Sequence, residues 1–162
     1  MALVFGYGSL AEPGAGRPLR LPGWRRVWGV AMDNRVTIPG YKYFLDAAGR
    51  RPAVCVAFLD VVPDPAARVD GVVFEVADLT GLDARERNYA RVDVSAALDR
   101  DLGGPVWAYT GLAEARERFA AGPTVVQRAY LESVRAGFAA HGLGFGPEPA
   151  LPVLDLERVD VV

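Results

Sequence analysis

The sequence predicts an α+β fold whose sheet is curved or closed. Three observations carry that prediction. Strand-like runs recur along most of the chain, and helical periodicity is confined to about 79–88, 112–120 and 124 to about 141. Strands and helices also do not alternate in the way that builds a parallel doubly wound sheet. With 162 residues, 51% of them apolar, the chain suits a single domain over 1–162 with a real core.

The elements follow in order. Residues 2–5 read as a short buried strand broken by Gly6 and Gly8. Residues 11–23 hold three prolines and three glycines and read as a loop. Trp24 to Met32 reads as a second strand. Residues 33–52 are mixed, with turns at Pro39-Gly40 and Ala48-Gly49 around Tyr41, Tyr43 and Phe44. Strands at about 53–62 and 70–77 are joined by a turn at Pro63-Asp64-Pro65. A helix over about 79–88 begins at Asp78, a good N-cap residue. Strands return at about 89–95 and 105–109. A longer helix follows a short one, with Thr124 as its candidate N-cap and Val125, Val126, Ala129, Tyr130, Val134 and Phe138 at helical spacing. The tail from about 147 reads as an edge strand or a surface extension.

Composition excludes several function classes. A net charge of −2 argues against a nucleic-acid partner. No apolar run approaches the ~20 residues that span a bilayer. The opening Met-Ala-Leu-Val-Phe has no basic region of a secretory signal, so the expected location is cytoplasmic, with no membrane partner. Cys55 is the only cysteine and His141 the only histidine. Cys55 lies in an apolar run and reads as core. His141 sits at a helix C-terminus, where a cation is mildly stabilising. A zinc site built on His and Cys is effectively excluded. Proton transfer must therefore rest mainly on carboxylates or tyrosines.

Two segments invite a chemical reading. The glycines of Phe5-Gly6-Tyr7-Gly8-Ser9-Leu10 do not open a dinucleotide site, because Pro13, Gly14 and Gly16 would break the helix that such a site needs. They form either a tight turn or a backbone cradle whose N–H groups hold an anion or a developing oxyanion. In the second segment, Leu79, Leu82 and Glu86 fall on one helical stripe, so Glu86 points where the two leucines point. A carboxylate on that face serves a structural ion pair, reaches water at the helix end, or does chemistry.

Val4-Phe5-Gly6-Tyr7-Gly8-Ser9-Leu10 resembles the substrate loop of the γ-glutamylcyclotransferase-like family. Leu82-Asp83-Ala84-Arg85-Glu86 is similar to that family's segment bearing the catalytic glutamate, and Val106-Trp107-Ala108-Tyr109 to a later strand. The resemblance runs from about residue 3 to 142. It implies a small mixed β-barrel with flanking helices, no cofactor and no metal. It further implies a small-molecule γ-glutamyl substrate cyclised to 5-oxoproline, by a monomer or homodimer. Carried over by position, Tyr7, Gly8, Ser9 and Leu10 bind substrate, Glu86 is the acid/base, and Tyr130 borders the site. Some members of the family have no established activity, so a catalytically silent small-molecule binder is the alternative. Residues 33–52 have no counterpart in the resemblance.

Overall fold

The computed structural model describes residues 1–162. In chain order the elements are β1 (Ala2–Gly6), β2 (Arg17–Asp33), β3 (Lys42–Leu45), β4 (Cys55–Val76), α1 (Leu79–Arg85), β5 (Tyr89–Asp93), β6 (Val106–Gly111), α2 (Ala113–Ala121), β7 (Thr124–Gln127), α3 (Arg128–Ala140), β8 (Val153–Leu154) and β9 (Glu157–Asp160). A 3-10 turn covers Ser95–Ala97.

The scaffold is one long antiparallel hairpin of β2 and β4, paired from Arg17↔Val73 to Asp33↔Cys55. β4 carries two further partners. β1 pairs antiparallel with Val72–Val76, and β7 pairs parallel with Cys55 and Val56. Val72, Val73, Cys55 and Val56 are also paired with β2, so β1 and β7 lie along the edge of β4 opposite β2. Between them, residues 57–71 have no strand on that edge. This gap positions the site.

The sheet runs β5-β6-β1-β4-β7-β8, with β2 also on β4, and is mixed rather than purely antiparallel. No pairing joins β5 to β8, so the sheet stays open and the expected barrel does not close. A separate two-stranded ribbon joins β3 to β9, and β8 adds to β7. The tail thus supplies two short edge strands.

Three expected boundaries shift for physical reasons. β2 starts at Arg17, inside the predicted loop, and takes in Pro18 and Pro22. Its only partner is β4, so the missing proline N–H groups cost no second ladder. The expected turn at Pro63-Asp64-Pro65 is instead a bulge within one long strand: Pro63 pairs with Trp24, residues 64–67 have no partner on β2, and pairing resumes at Pro22↔Arg68. Thr124 does not cap a helix. Thr124-Val125-Val126 is a β-branched run that pairs as β7, and α3 begins after Gln127.

The main core lies between the hairpin, β1 and α3. Phe5, Leu21, Leu59, Val61, Val73 and Val134 are buried in it. Each such side chain contributes ~1.5–3 kcal/mol on burial. α3 is held by Leu131, Val134, Gly137 and Phe138 on one stripe. A Cβ on Gly137 would stand 2.1 Å from the Ala11 carbonyl oxygen. Only glycine lets α3 lie this close to the end of the N-terminal loop. Cys55 is buried in the core, and His141 is the residue after α3, its Nε2 3.0 Å from the Glu12 carbonyl oxygen. No helix is long and apolar enough to cross a membrane.

Candidate active site

The gap on β4 leaves the Leu59 N–H and C=O pointing away from β2 without a strand to receive them. In a strand both groups of one residue face the same edge. Two tyrosines take the place of the missing strand. The Tyr89 hydroxyl donates to the Leu59 carbonyl at 2.6 Å, and the Leu59 N–H donates to the Tyr130 hydroxyl at 3.3 Å. Tyr89 opens β5 and Tyr130 lies in the first turn of α3, so both reach the gap from its flanks.

The N-terminal loop closes the same gap. After β1 the chain turns, with the Ala11 N–H donating to the Gly8 carbonyl at 3.0 Å. The N–H groups of Gly8, Ser9 and Leu10 donate to no acceptor in the chain. A Cβ on Gly8 would stand 3.2 Å from Leu59 Cδ1 and 3.6 Å from the Tyr130 hydroxyl. Here the glycine admits the protein's own strand and tyrosine. Arg26 fixes the loop from behind. It is nearly buried, donates to the Tyr7 carbonyl at 2.7 Å, the Gly146 carbonyl at 2.8 Å and the Asp70 carbonyl, and lies over Phe138 and Phe145. Burial lowers its pKa to about 10.

Glu86 arrives from the other side. α1 stops at Arg85, short of the expected 88, and Glu86 is its C-cap, with its N–H donating to the Leu82 carbonyl at 2.9 Å. Asp78 occupies the N-cap position without a side-chain bond. Leu82 is buried as expected, and Glu86 is half-buried against the cavity. Its carboxylate forms no ion pair and takes no hydrogen bond from the chain. That removes the structural ion-pair reading. Burial raises the Glu86 pKa above the usual glutamate value, opposed by Arg85 and then Lys42.

Tyr7, Gly8, Ser9, Leu10, Glu86 and Tyr130, all singled out from the sequence, therefore line one small recess together with Leu59, Tyr89 and Tyr109. The recess holds about 20 Å³, room for one water-sized group. It adjoins a larger cavity of about 590 Å³ that shares Ser9, Leu10, Glu86, Tyr89 and Tyr130. The phenols differ in what their protons do. Tyr7 donates to the Tyr109 carbonyl, Tyr89 to Leu59, and Tyr109 to Asp83 at 2.6 Å. Ser9 lines the same recess, and Tyr130 accepts from Leu59. Its own proton is not committed to any backbone carbonyl. Burial holds the Tyr130 pKa well above the usual phenol value, so it stays a donor.

The comparisons add the fold. The chain is similar to the solved structure of a gamma-glutamyl cyclotransferase, with TM-score 0.56 and 17% identity over 95% of this chain and 94% of that one. This protein has a γ-glutamyl-cyclotransferase-like fold. An uncharacterized protein from Homo sapiens is similar to it as well, with TM-score 0.54 and 16% identity over 93% of this chain and 92% of that one. No family model and no curated protein sequence matches the chain.

Within this γ-glutamyl-cyclotransferase-like fold, sequence reasoning missed Leu59, Lys42 and Asn88. Leu59 takes part through its backbone, which no side-chain pattern reveals. Asn88 is buried, accepts from Arg118 at 2.9 Å and donates to the Tyr41 hydroxyl at 3.0 Å, fixing one cavity wall. Lys42 carried a usable signal: it is the only lysine in the chain and sits between aromatic residues.

Proposed function

We propose that this protein cyclises a γ-glutamyl amide to 5-oxoproline and releases an amine or amino acid. The observation that carries this reading is the Glu86 carboxylate, unpaired within the chain and lining the same recess as the N-terminal loop. The fold shared with a gamma-glutamyl cyclotransferase supports it.

The chemistry uses the groups at hand. The α-amine of the glutamyl unit, once its ammonium form has lost one proton to solvent, is an internal nucleophile for its own γ-carbonyl carbon. Glu86 takes a proton from that amine as the new C–N bond forms. The raised pKa of Glu86 brings it nearer the working pH and makes it a better base than an ordinary glutamate. The carbonyl oxygen becomes an oxyanion, for which the uncommitted N–H groups of Gly8 to Leu10 and the Tyr130 hydroxyl are donors. The recess beside them has the size of one oxygen. The tetrahedral centre then collapses, the amide C–N bond breaks, and Glu86 returns its proton to the departing nitrogen. Ring closure is intramolecular, so positioning the reactive rotamer supplies much of the acceleration.

Release of 5-oxoproline from a panel of γ-glutamyl compounds, followed by chromatography, tests the reading. Activity in the wild type and none in a folded Glu86→Gln variant is the expected result. A ligand that raises the melting temperature of both proteins without turnover marks a binding module instead.

A further inference from the structure

The larger cavity has a wall that the proposed chemistry does not use. β3 and β9 pair with Lys42 opposite Asp160 and Phe44 opposite Arg158. Directly opposed residues in an antiparallel pair share a face, and residues two apart on one strand share it too. Lys42, Phe44, Arg158 and Asp160 therefore stand on one side of the ribbon, and the first three line the cavity.

The cation on this wall is left free. Asp160 is the carboxylate nearest in register to Lys42, but Arg158 holds it at 2.7 Å. The Lys42 ammonium lies over the rings of Phe58 and Tyr41, 4.7 and 5.3 Å from their centroids, and forms no ion pair. Arg85 and Arg87 also line the cavity without an ion-pair partner, Arg87 stacking over Tyr41. Against these cations stand only Glu86, assigned to proton transfer, and Glu12. A chain of net charge −2 thus surrounds this cavity with a surplus of positive charge. Clefts lined by one sign of charge concentrate ligands of the other.

A γ-glutamyl unit has one ammonium and one carboxylate, so by itself it has no net charge to answer this surplus. We propose that Lys42 is the specificity-determining residue of the larger cavity and selects substrates whose departing portion bears a carboxylate. The released molecule is then an amino acid or peptide rather than a neutral amine. The inference rests on the cyclisation reading. Burial of Lys42 agrees with it, since desolvation lowers its pKa to about 8 and an anion would relieve that cost.

Two substrates that differ only by the carboxylate test it: γ-glutamyl-alanine and γ-glutamyl-ethylamine. The wild type should favour the alanine compound in kcat/KM. Lys42→Met should lower kcat/KM for that compound by roughly 10- to 100-fold, mainly through KM, as loss of a charge-assisted hydrogen bond does. It should largely erase the preference, and Lys42→Arg should restore it in part. Equal use of both substrates by the wild type overturns the proposal. So does an equal loss on both in Lys42→Met, which would assign Lys42 to the α-carboxylate that the two share. If neither compound is cleaved, the wider panel of γ-glutamyl compounds decides the cyclisation reading, and calorimetric binding of the same two compounds decides the anion site alone. A preference for the alanine compound that Lys42→Met abolishes upholds it, whereas equal or absent binding overturns it.

Discussion

The recess at Glu86 and the wall at Lys42 belong to one continuous space but are built in opposite ways. The recess is set into the main sheet. Its phenols are tied to the Leu59 backbone, to Tyr109 and to Asp83, and its loop is clamped through Tyr7 by a buried Arg26. The wall is a two-stranded ribbon outside the main sheet, with its charges partly exposed and bound by one surface ion pair. On the proposed reading, the groups that would handle protons sit where backbone bonds fix their elements, and the groups that would choose a ligand sit on an appended element whose charges change at small structural cost.

On that division, substitutions in the recess cost far more than substitutions on the wall. Glu86→Gln should lower kcat by about 1000-fold, within the span of general acid–base catalysis, as measured by 5-oxoproline release. Its stability should move the other way. Burial raises the folded-state pKa of Glu86 above its unfolded value, so the stability associated with its protonated form is present below the unfolded value. That stability is lost as pH rises through the folded value. Glu86→Gln should therefore melt higher than the wild type at pH 7, and the gain should vanish in acid. Arg26→Met leaves three carbonyls without their donor and should cost about 3 kcal/mol in urea unfolding. If it costs nothing, the loop is not clamped as described.

Smaller effects sharpen the same contrast. Tyr130→Phe removes one donor and the acceptor of the Leu59 N–H. It should cost about 1 kcal/mol in stability and about 10-fold or more in kcat, with little change in KM. On the wall, Arg158→Met frees Asp160 to approach Lys42. KM for a carboxylate-bearing substrate should rise only about threefold, in keeping with the weakness of exposed pairs. The pH dependence should also separate the two regions. Lys42 is charged below a pKa of about 8, a value set by burial and Arg158 and opposed by Glu86 and Asp160. Affinity for such a substrate should fall as pH rises through 8, and Lys42→Arg should remove that fall.

How much could be read from the sequence follows the same line. The recess was legible because its parts are local: a glycine turn straight after β1, and a carboxylate on the leucine stripe of α1. Glu86 lines the recess even though α1 ends one residue before it. The wall was legible only as a lone lysine between aromatic residues, without its role. Lys42 has meaning only once β9, more than a hundred residues away, pairs with β3 and once Arg158 occupies Asp160. The open sheet escaped for a related reason. Strand-like runs show that strands exist, but closure depends on whether the terminal strands β5 and β8 meet, which no local pattern encodes. Prolines misled in β2 and β4 because their usual cost is lost pairing, and here they lie where one side has no partner strand.

The gap in the main sheet has a consequence beyond chemistry. An unpaired strand edge is a template for another chain to add to, and proteins ordinarily cover or charge such edges. This molecule blocks it with two phenol hydroxyls at Leu59 and with the N-terminal loop laid against it. The seam that serves as the cleft is thus also a vulnerable point for self-association. Loss of both tyrosine plugs would favour clumping at high concentration, and a molecule occupying the cleft would act as a guard against it.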